Sequence, residues 1–384
     1  MDFNFTEEQS QLRNTLQKLL ADQYDFDSRR KVLRSETGWR PELWAQFAEL
    51  GLLMAPFSEA DGGLGGGPVD AMVVMEEFGR ALVVEPYLQT VVLAGGLLKH
   101  AGTTAQKEEH LAAILGGATV FAFAHAEPQS RYDLFDVQTQ ARKQGAGYVL
   151  NGHKAVVIGA PWADWLIVSA RTAGGRRDAR GISLFIVPKS AKGVTTRDYP
   201  TVDGARASEL YLENVEVPAD HMIGEIDEAL PLIEKVNDEA IAALCAEATG
   251  AMRALHEATV GYARQRKQFG TSIASFQVIQ HRMVDMFMAA ELATSSTFMV
   301  TLRLDDSPVE RMKAASSAKV QIGKSARLIG QDAVQIHGGM GMTDELNVGH
   351  YFKRLSIIES QFGNSDWHMR RYVALSASEH AKAA

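Results

Sequence analysis

Cysteine occurs once in 384 residues, at Cys245, so neither a disulfide framework nor a cysteine metal cluster can form. Its Ala-rich, helix-patterned surroundings read as a place for a small buried hydrophobe, and no metal site is expected. Long apolar runs are missing as well. No stretch approaches the ~18 uninterrupted apolar residues of a membrane span. The opening MDFNFTEEQ is acidic and has no apolar core, unlike a secretory signal, and a cytoplasmic, reducing compartment is the expectation. A basic excess is absent too: the net charge of −8 argues against a nucleic-acid partner. With 46% hydrophobic and 22% charged residues, what remains is an ordinary globular composition, long enough for two or three domains.

The chain changes character twice. Residues 1–118 read as helical. Thr6 and Gln9 form a capping-box pattern, and Leu12, Leu16, Leu19 and Leu20 follow at helical spacing. A further helix begins near Pro41, stops at Gly51 and carries Trp44, Phe47 and Leu50 on one face. Met72–Leu82 and Leu88–His100 read as buried helices. The glycine-rich Asp61–Gly67 between them lacks a preceding strand and a following Gly-Lys-Ser/Thr, so it is a helix–helix loop rather than a phosphate loop. Residues 119–225 carry short β-rich runs at 120–124, 148–150, 154–158, 165–169 and 182–187, with Asn151–Gly152 predicted as a hairpin turn. They predict a compact antiparallel β domain and argue against a Rossmann fold. Residues 226–384 are helical again, with long patterns over 238–266, 276–304 and 309–336. Helices of this length form a four-helix bundle that commonly self-associates. The expected class is therefore α+β, mainly α.

Two segments near the C-terminal end carry chemistry. Tyr262–Gly270 (YARQRKQFG) is followed by Phe276–Gln280 (FQVIQ), and Gln335–Glu345 reads QIHGGMGMTDE. With Ala126–Pro128 (AEP), Tyr148–Gly159 (YVLNGHKAVVIG) and His350–Leu355 (HYFKRL), and with the helical, β, helical order, the whole chain resembles the acyl-CoA dehydrogenase family. The resemblance implies FAD, held partly by a neighbouring subunit, and hence a homo-oligomer (dimer or tetramer) or a hetero-oligomer with a second acyl-CoA dehydrogenase subunit. It implies an acyl-CoA substrate, and an electron-transfer flavoprotein as acceptor. Arg266 would offer a forked guanidinium to the diphosphate. Phe269 would pack on a flat ring. Gln277 and Gln335 would meet polar acceptors, and Gly338 and Gly339 would let backbone N–H groups approach closely. Phe123, His125, Ala126, Ile158, Gly363 and Asn364 fall in the family's remaining flavin-contact slots. Each has a plainer reading. Arg266 and Lys267 could be a dipole-matched surface pair at a helix end, Gln335 and His337 ordinary bundle residues, and Gln277 a plain helix-start residue.

The departures are as informative. The family's reaction removes an α proton and passes a β hydride to the flavin, leaving a 2,3-enoyl-CoA, and it needs a desolvated carboxylate as base. Where many members carry that glutamate, this chain has Phe362. An alternative slot, early in the first long bundle helix, falls on Ala240. Its neighbour Glu239 is the candidate base, although one helical step rotates a side chain by about 100°, so it points correctly only if the helix start is irregular. Glu247 lies about two turns further on, too far along the helix for that slot. Hydroxyls expected beside the flavin ring are replaced by Ala126, Ile158 and Asn364, and the expected tryptophan by Val156. The surviving set of Arg266, Phe269, Gln335 and Gly339 suggests a subunit that lends contacts to a flavin seated mainly in a partner. A non-catalytic partner subunit and a flavin oxidase or monooxygenase on the same scaffold are the competing readings.

Overall fold

The computed structural model describes residues 5–383, and for 378–383 the backbone alone. It divides into two compact units. A helical unit contains the chain up to Lys31, Pro68–Val83 and everything from Ile241. A sheet unit contains Val32–Gly67 and Val84–Ala240. In chain order the helices are α1 (Glu7–Gln23), α2 (Phe26–Arg34), α3 (Pro41–Glu49), α4 (Pro68–Ala81), α5 (Gly95–Ala101), α6 (Thr104–Gln106) and α7 (Ala112–Leu115). Eight strands follow, β1 (Phe121–Ala124), β2 (Gln140–Gln144), β3 (Gly147–Ile158), β4 (Trp165–Arg171), β5 (Ile182–Pro188), β6 (Val194–Pro200), β7 (Arg206–Pro218) and β8 (Met222–Ile223). The chain then returns to helix in α8 (Leu230–Gln265), α9 (Gln277–Leu302), α10 (Pro308–His337), α11 (Asn347–Ser360) and α12 (Ser365–Ala383), with the short hairpin β9 (Lys267–Gln268)–β10 (Thr271–Ser272) after α8.

In the sheet unit the strand order is β6-β7-β3-β2-β4-β5-β8. Neighbours are antiparallel except at β4, which pairs in parallel with β1 and, through Gln140↔Arg171, with β2. The runs FAFA of β1 and ISLFIV within β5 are buried at every position, as expected of strands covered on both faces. The helix predicted over Leu88–His100 opens with π-helical turns at Leu88–Ala94 before α5. The predicted turn at Asn151–Gly152 is corrected: both residues lie inside β3, and the chain reverses at Gly145–Ala146, where Gly145 has φ +59°. Two side-by-side partners account for this. Asn151 Oδ1 accepts from the Asn214 N–H at 2.8 Å. A Cβ on Gly152 would sit 2.4 Å from Thr139 Oγ1, so this glycine serves close packing rather than a left-handed turn.

In the helical unit the capping box is present: Thr6 caps the Gln9 N–H while Gln9 reaches back to the Thr6 N–H. α10 is built around small buried residues, Ala314, Ala315, Ala318, Gly323, Ala326, Gly330 and Ala333. They let neighbours come close, since a Cβ on Gly323 would lie 2.2 Å from Ser365 Oγ and one on Gly330 2.9 Å from the Phe352 ring. Gly79 of α4 and Gly250 of α8 make a glycine-on-glycine crossing, where added Cβ atoms would strike Glu247 O at 1.9 Å and Glu76 O at 1.8 Å. Among the described residues no helix is long and apolar enough to cross a membrane.

Candidate functional site

One end of the helical unit gathers six of the twelve predicted cofactor residues, Arg266, Phe269, Gln277, Gln335, Gly338 and Gly339. α8 ends at Gln265, with the Arg266 N–H still bonded to Tyr262 O at 2.8 Å. The β9–β10 hairpin follows, registered Gln268↔Thr271 and Lys267↔Ser272. Its two turn residues, Phe269 and Gly270, both have positive φ, +53° and +81°, the requirement of a tight twisted hairpin. Glycine meets this requirement freely, whereas phenylalanine is strained there. The Phe269 ring is 93% exposed and meets the Phe276 ring edge-on at 6.2 Å, beside Gln277 at the start of α9. The end of α10 joins this group through Tyr262, which stacks on His337 at 4.2 Å and donates to His337 O at 3.4 Å. Burial lowers the His337 imidazole below its usual range. Beyond it, Gly338 has φ +58°, and a Cβ on Gly338 or Gly339 would meet nothing within 4 Å. Arg266, Gln277 and Gln335 are exposed. An exposed guanidinium, an exposed aromatic ring and bare backbone glycines make an end suited to an anionic, planar ligand. The chemistry fits a diphosphate joined to an adenine.

The α11–α12 turn holds the slots at 362–364. Phe362 has φ +59°, and Gly363, with φ +119°, is buried. A Cβ on Gly363 would fall 2.7 Å from both His368 Nε2 and Trp367 Cε3. Asn364 is the N-cap of α12: its Oδ1 accepts from the Trp367 N–H at 2.9 Å, which leaves its amide NH₂ for a ligand. The turn borders a cavity of ≈ 510 Å³ lined by Lys324, Arg327, Gln331, Asp332, Asn364 and Asp366, among others.

In the sheet unit, Phe123 and His125 stack ring on ring at 4.7 Å. Burial, and then the charge of Lys154, push the His125 imidazole down to about 4. Ala126 O accepts from the Ala155 N–H at 2.9 Å, tying the AEP segment to β3. Next to it lies a group to which the sequence reading assigned no role. Lys154 Nζ, fully buried, meets Glu127 Oε1 at 2.7 Å and Ser169 Oγ at 3.1 Å. Glu127 also accepts from the Gln138 and Thr139 N–H groups at 2.7 and 3.0 Å. Burial alone would raise its carboxyl, but Lys154, and then hydrogen bonds from Gln129 and Thr139, hold it down at about 2. A lysine inside the apolar run KAVVI was the available signal. Ile158 is half-buried near the end of β3. Val156 is 52% exposed with φ +53°, in the register shift between Lys154 and Val157.

Both acids considered for the base slot have partners. α8 is regular helix from Leu230, so Glu239 lies within it, one step from the fully buried Ala240, and the irregular helix start that would turn its side chain into the expected slot is not there. Its Oε1 is 2.8 Å from His100 Nε2, and its side chain is 20% exposed. Glu247, in the helical unit, is buried and gripped in two-pronged fashion by Arg354, at 2.5 and 2.6 Å.

Family models match along the chain: "Acyl-CoA dehydrogenase, N-terminal domain" over residues 6–118, "middle domain" over 122–215 and "C-terminal domain" over 233–376. The probable acyl-CoA dehydrogenase YngJ of Bacillus subtilis is 31% identical over 376 residues, 95% of this chain and 97% of that protein. Among solved structures, butyryl-CoA dehydrogenase of Megasphaera elsdenii superposes with a TM-score of 0.89 at 27% identity, covering 97% of this chain and 99% of the other. A chain of the ChsE4–ChsE5 complex of Mycobacterium tuberculosis does so with 0.88 at 25% identity, covering 98% and 99%. The chain belongs to the acyl-CoA dehydrogenase family, FAD-dependent oxidoreductases that act on acyl-CoA thioesters.

Proposed function

We propose that this chain is one subunit of a heteromeric acyl-CoA dehydrogenase, oxidising an acyl-CoA to its 2,3-enoyl-CoA together with a partner subunit that owns the catalytic base. The observation that carries the reading is Phe362, an apolar side chain on the positive-φ turn where the resemblance expects a carboxylate. Glu247 does not substitute, because Arg354 occupies both of its oxygens. The open end of the helical unit supplies the complementary half of the reading: Arg266 neutralises a diphosphate, Phe269 covers a flat ring, and Gln335 donates to its acceptors, while the Gly338 N–H is already taken by the Val334 and Gln335 carbonyls and the bare Gly338–Gly339 segment gives the ligand room to approach. Bound FAD would supply the acceptor for a hydride from the substrate β carbon. Exposed Val284, Phe287, Met288 and Leu292 on α9 form an apolar stripe of the kind buried between subunits. The ChsE4–ChsE5 complex named above supports a heteromer by analogy. At its finest, the reading takes the chain as similar to the small subunit of pimeloyl-CoA dehydrogenase, with an electron-transfer flavoprotein as acceptor. The domain boundaries at 118/119 and 225/226 belong to the same proposal.

A second reading has the chain act alone, with Glu239 removing the α proton. It is favoured by one observation: the Glu239 carboxylate is partly exposed and meets a histidine rather than a permanent cation. The visible spectrum of the chain expressed by itself, before and after anaerobic addition of acyl-CoAs including pimeloyl-CoA, separates the two. The heteromer predicts a colourless chain, or a flavin that no acyl-CoA reduces. A flavin that bleaches makes the chain self-sufficient and Glu239→Gln the next variant. A flavin that reacts with oxygen but with no acyl-CoA indicates an oxidase or monooxygenase instead.

A further inference from the structure

The α11–α12 turn is held from below by α10. Ser316, Lys319 and Gly323 recur on one face of that helix at spacings of three and four residues, and all three are buried. Lys319 Nζ donates to Ile358 O at 2.6 Å and to Glu359 O at 3.0 Å. It satisfies carbonyls at the end of α11, where the helix dipole also favours a cation. Burial lowers the Lys319 ammonium to about 8. His368, with no exposed surface, reaches back from α12: its Nε2 lies 3.1 Å from Phe362 O and its Nδ1 3.3 Å from Ser316 Oγ. A carbonyl can only accept, so Nε2 carries the proton and Nδ1 accepts from the serine. The charge state agrees, since burial, then Lys319 and Arg371, push the imidazole down to about 2 and keep it neutral. Glu359 Oε1 takes the Ser365 N–H at 3.1 Å and closes the loop.

These contacts fix a backbone that would not hold itself. A phenylalanine at φ +59° is disfavoured, and such a residue persists only where its surroundings over-determine it. Here the surroundings are Lys319 on the segment before it, His368 on its own carbonyl, and the packed Gly363 after it. No requirement of chain reversal calls for an aromatic side chain at that position.

We infer that Lys319 and His368 are positioning residues. By gripping Ile358, Glu359 and Phe362 through their carbonyls, they hold the 362–364 turn so that the Phe362 side chain and the Asn364 amide keep one presentation toward the cofactor. The inference rests on the flavin reading above for the identity of the ligand, and on the geometry alone for the clamp.

The test compares the full chain, in whatever assembly it purifies in, with His368→Leu, His368→Gln and Lys319→Met. Glutamine places a donor near the position of Nε2 and is the conservative rescue. Thr249→Val, which loses a buried hydrogen bond to Thr297 elsewhere in the bundle, is the stability control. Backbone hydrogen exchange over residues 361–367 and the affinity for added FAD are measured together. His368→Leu and Lys319→Met should both exchange faster in that segment and bind FAD about tenfold more weakly, the scale of one lost buried hydrogen bond. His368→Gln should stay close to wild type, and Thr249→Val should lower the melting temperature without moving either readout. Leucine and methionine variants that melt earlier but keep wild-type exchange at 361–367 and wild-type FAD affinity would overturn the inference. His368→Leu and His368→Gln decide it by themselves should Lys319→Met not fold. If no assembly binds FAD, the functional reading has failed, and the exchange pattern judges the clamp independently.

Discussion

At Glu127 the sheet unit surrounds a buried carboxylate with its own partners. The carboxylate has Lys154 on one side and two backbone N–H groups on the other, and Lys154 also reaches a serine. At Arg266 and Gly338 the helical unit does the reverse. A guanidinium, an aromatic ring in a strained conformation and two glycines face open space. The first arrangement needs nothing from outside and is structural. The second is unfinished within one chain, which is what a surface built to complete another molecule's site looks like. Both regions carry charged residues near segments on which the family resemblance rests, so residue type alone does not separate them; the partners do.

The comparison breaks most sharply at the buried pair. Glu127→Gln leaves Lys154 charged and uncompensated, and a half-broken buried ion pair costs about 3–5 kcal/mol. Urea unfolding should show a loss of that size, and a change under about 1 kcal/mol would mean that the pair behaves as a surface one. Gly250→Ala comes next. Its new methyl would meet the Glu76 carbonyl at 1.8 Å, and because that neighbour is backbone, the α4–α8 crossing must open, at an expected cost of about 1–3 kcal/mol. The melting temperature reads this directly, and Gly261→Ala, where a Cβ meets nothing within 4 Å, should be neutral or slightly stabilising.

A pH series sharpens the same contrast. His125 and His368 are held at about 4 and about 2, below their ordinary 6.5, so in the folded chain they stay neutral where the unfolded chain would take up protons. Their contribution to stability is whole above about pH 6.5 and is lost progressively as pH falls, toward 4 for His125 and further for His368. Unfolding free energy measured from about pH 7 down to about pH 5 should decline. His368→Gln should flatten the slope, because one of the two groups no longer titrates. An unchanged slope would mean that His368 is protonated in the fold, against the acceptance of the Ser316 hydroxyl by its Nδ1.

What the sequence showed and what it concealed divide along sequence separation. The cap at Thr6, the start at Pro41 and the long helices α8, α9 and α10 were legible because spacing and capping act within one or two turns. The domain order followed from where those patterns change. The Asn151–Gly152 turn was misread because a dipeptide signal cannot register that β3 is paired on both sides. β6 escaped because its half-exposed VTTRDYP lacks an apolar run. The partners of Glu239, the candidate base, and of Glu247 were out of reach altogether: His100 is 139 residues from Glu239 and Arg354 is 107 from Glu247. No local pattern shows whether a carboxylate is engaged, and that engagement decides whether it can act as a base.

The smallest expected effect on stability is the one most diagnostic of function. Arg266 and Phe269 are exposed, so truncating either removes no buried contact, and Phe269→Gly also relieves the strain at φ +53°. Against that relief stands the greater freedom that glycine gives the unfolded chain, so the net change should be within about 1 kcal/mol of zero. Arg266→Ala should likewise leave unfolding within about 0.5 kcal/mol of wild type. If these residues served the fold, melting would register their loss. If they complete a cofactor site, melting stays put while FAD retention by the assembled protein falls, with Arg266→Ala weakening more at high salt than at low. A pair of variants that move neither readout would return Arg266 to a dipole-matched surface cation and Phe269 to an unexplained strained turn.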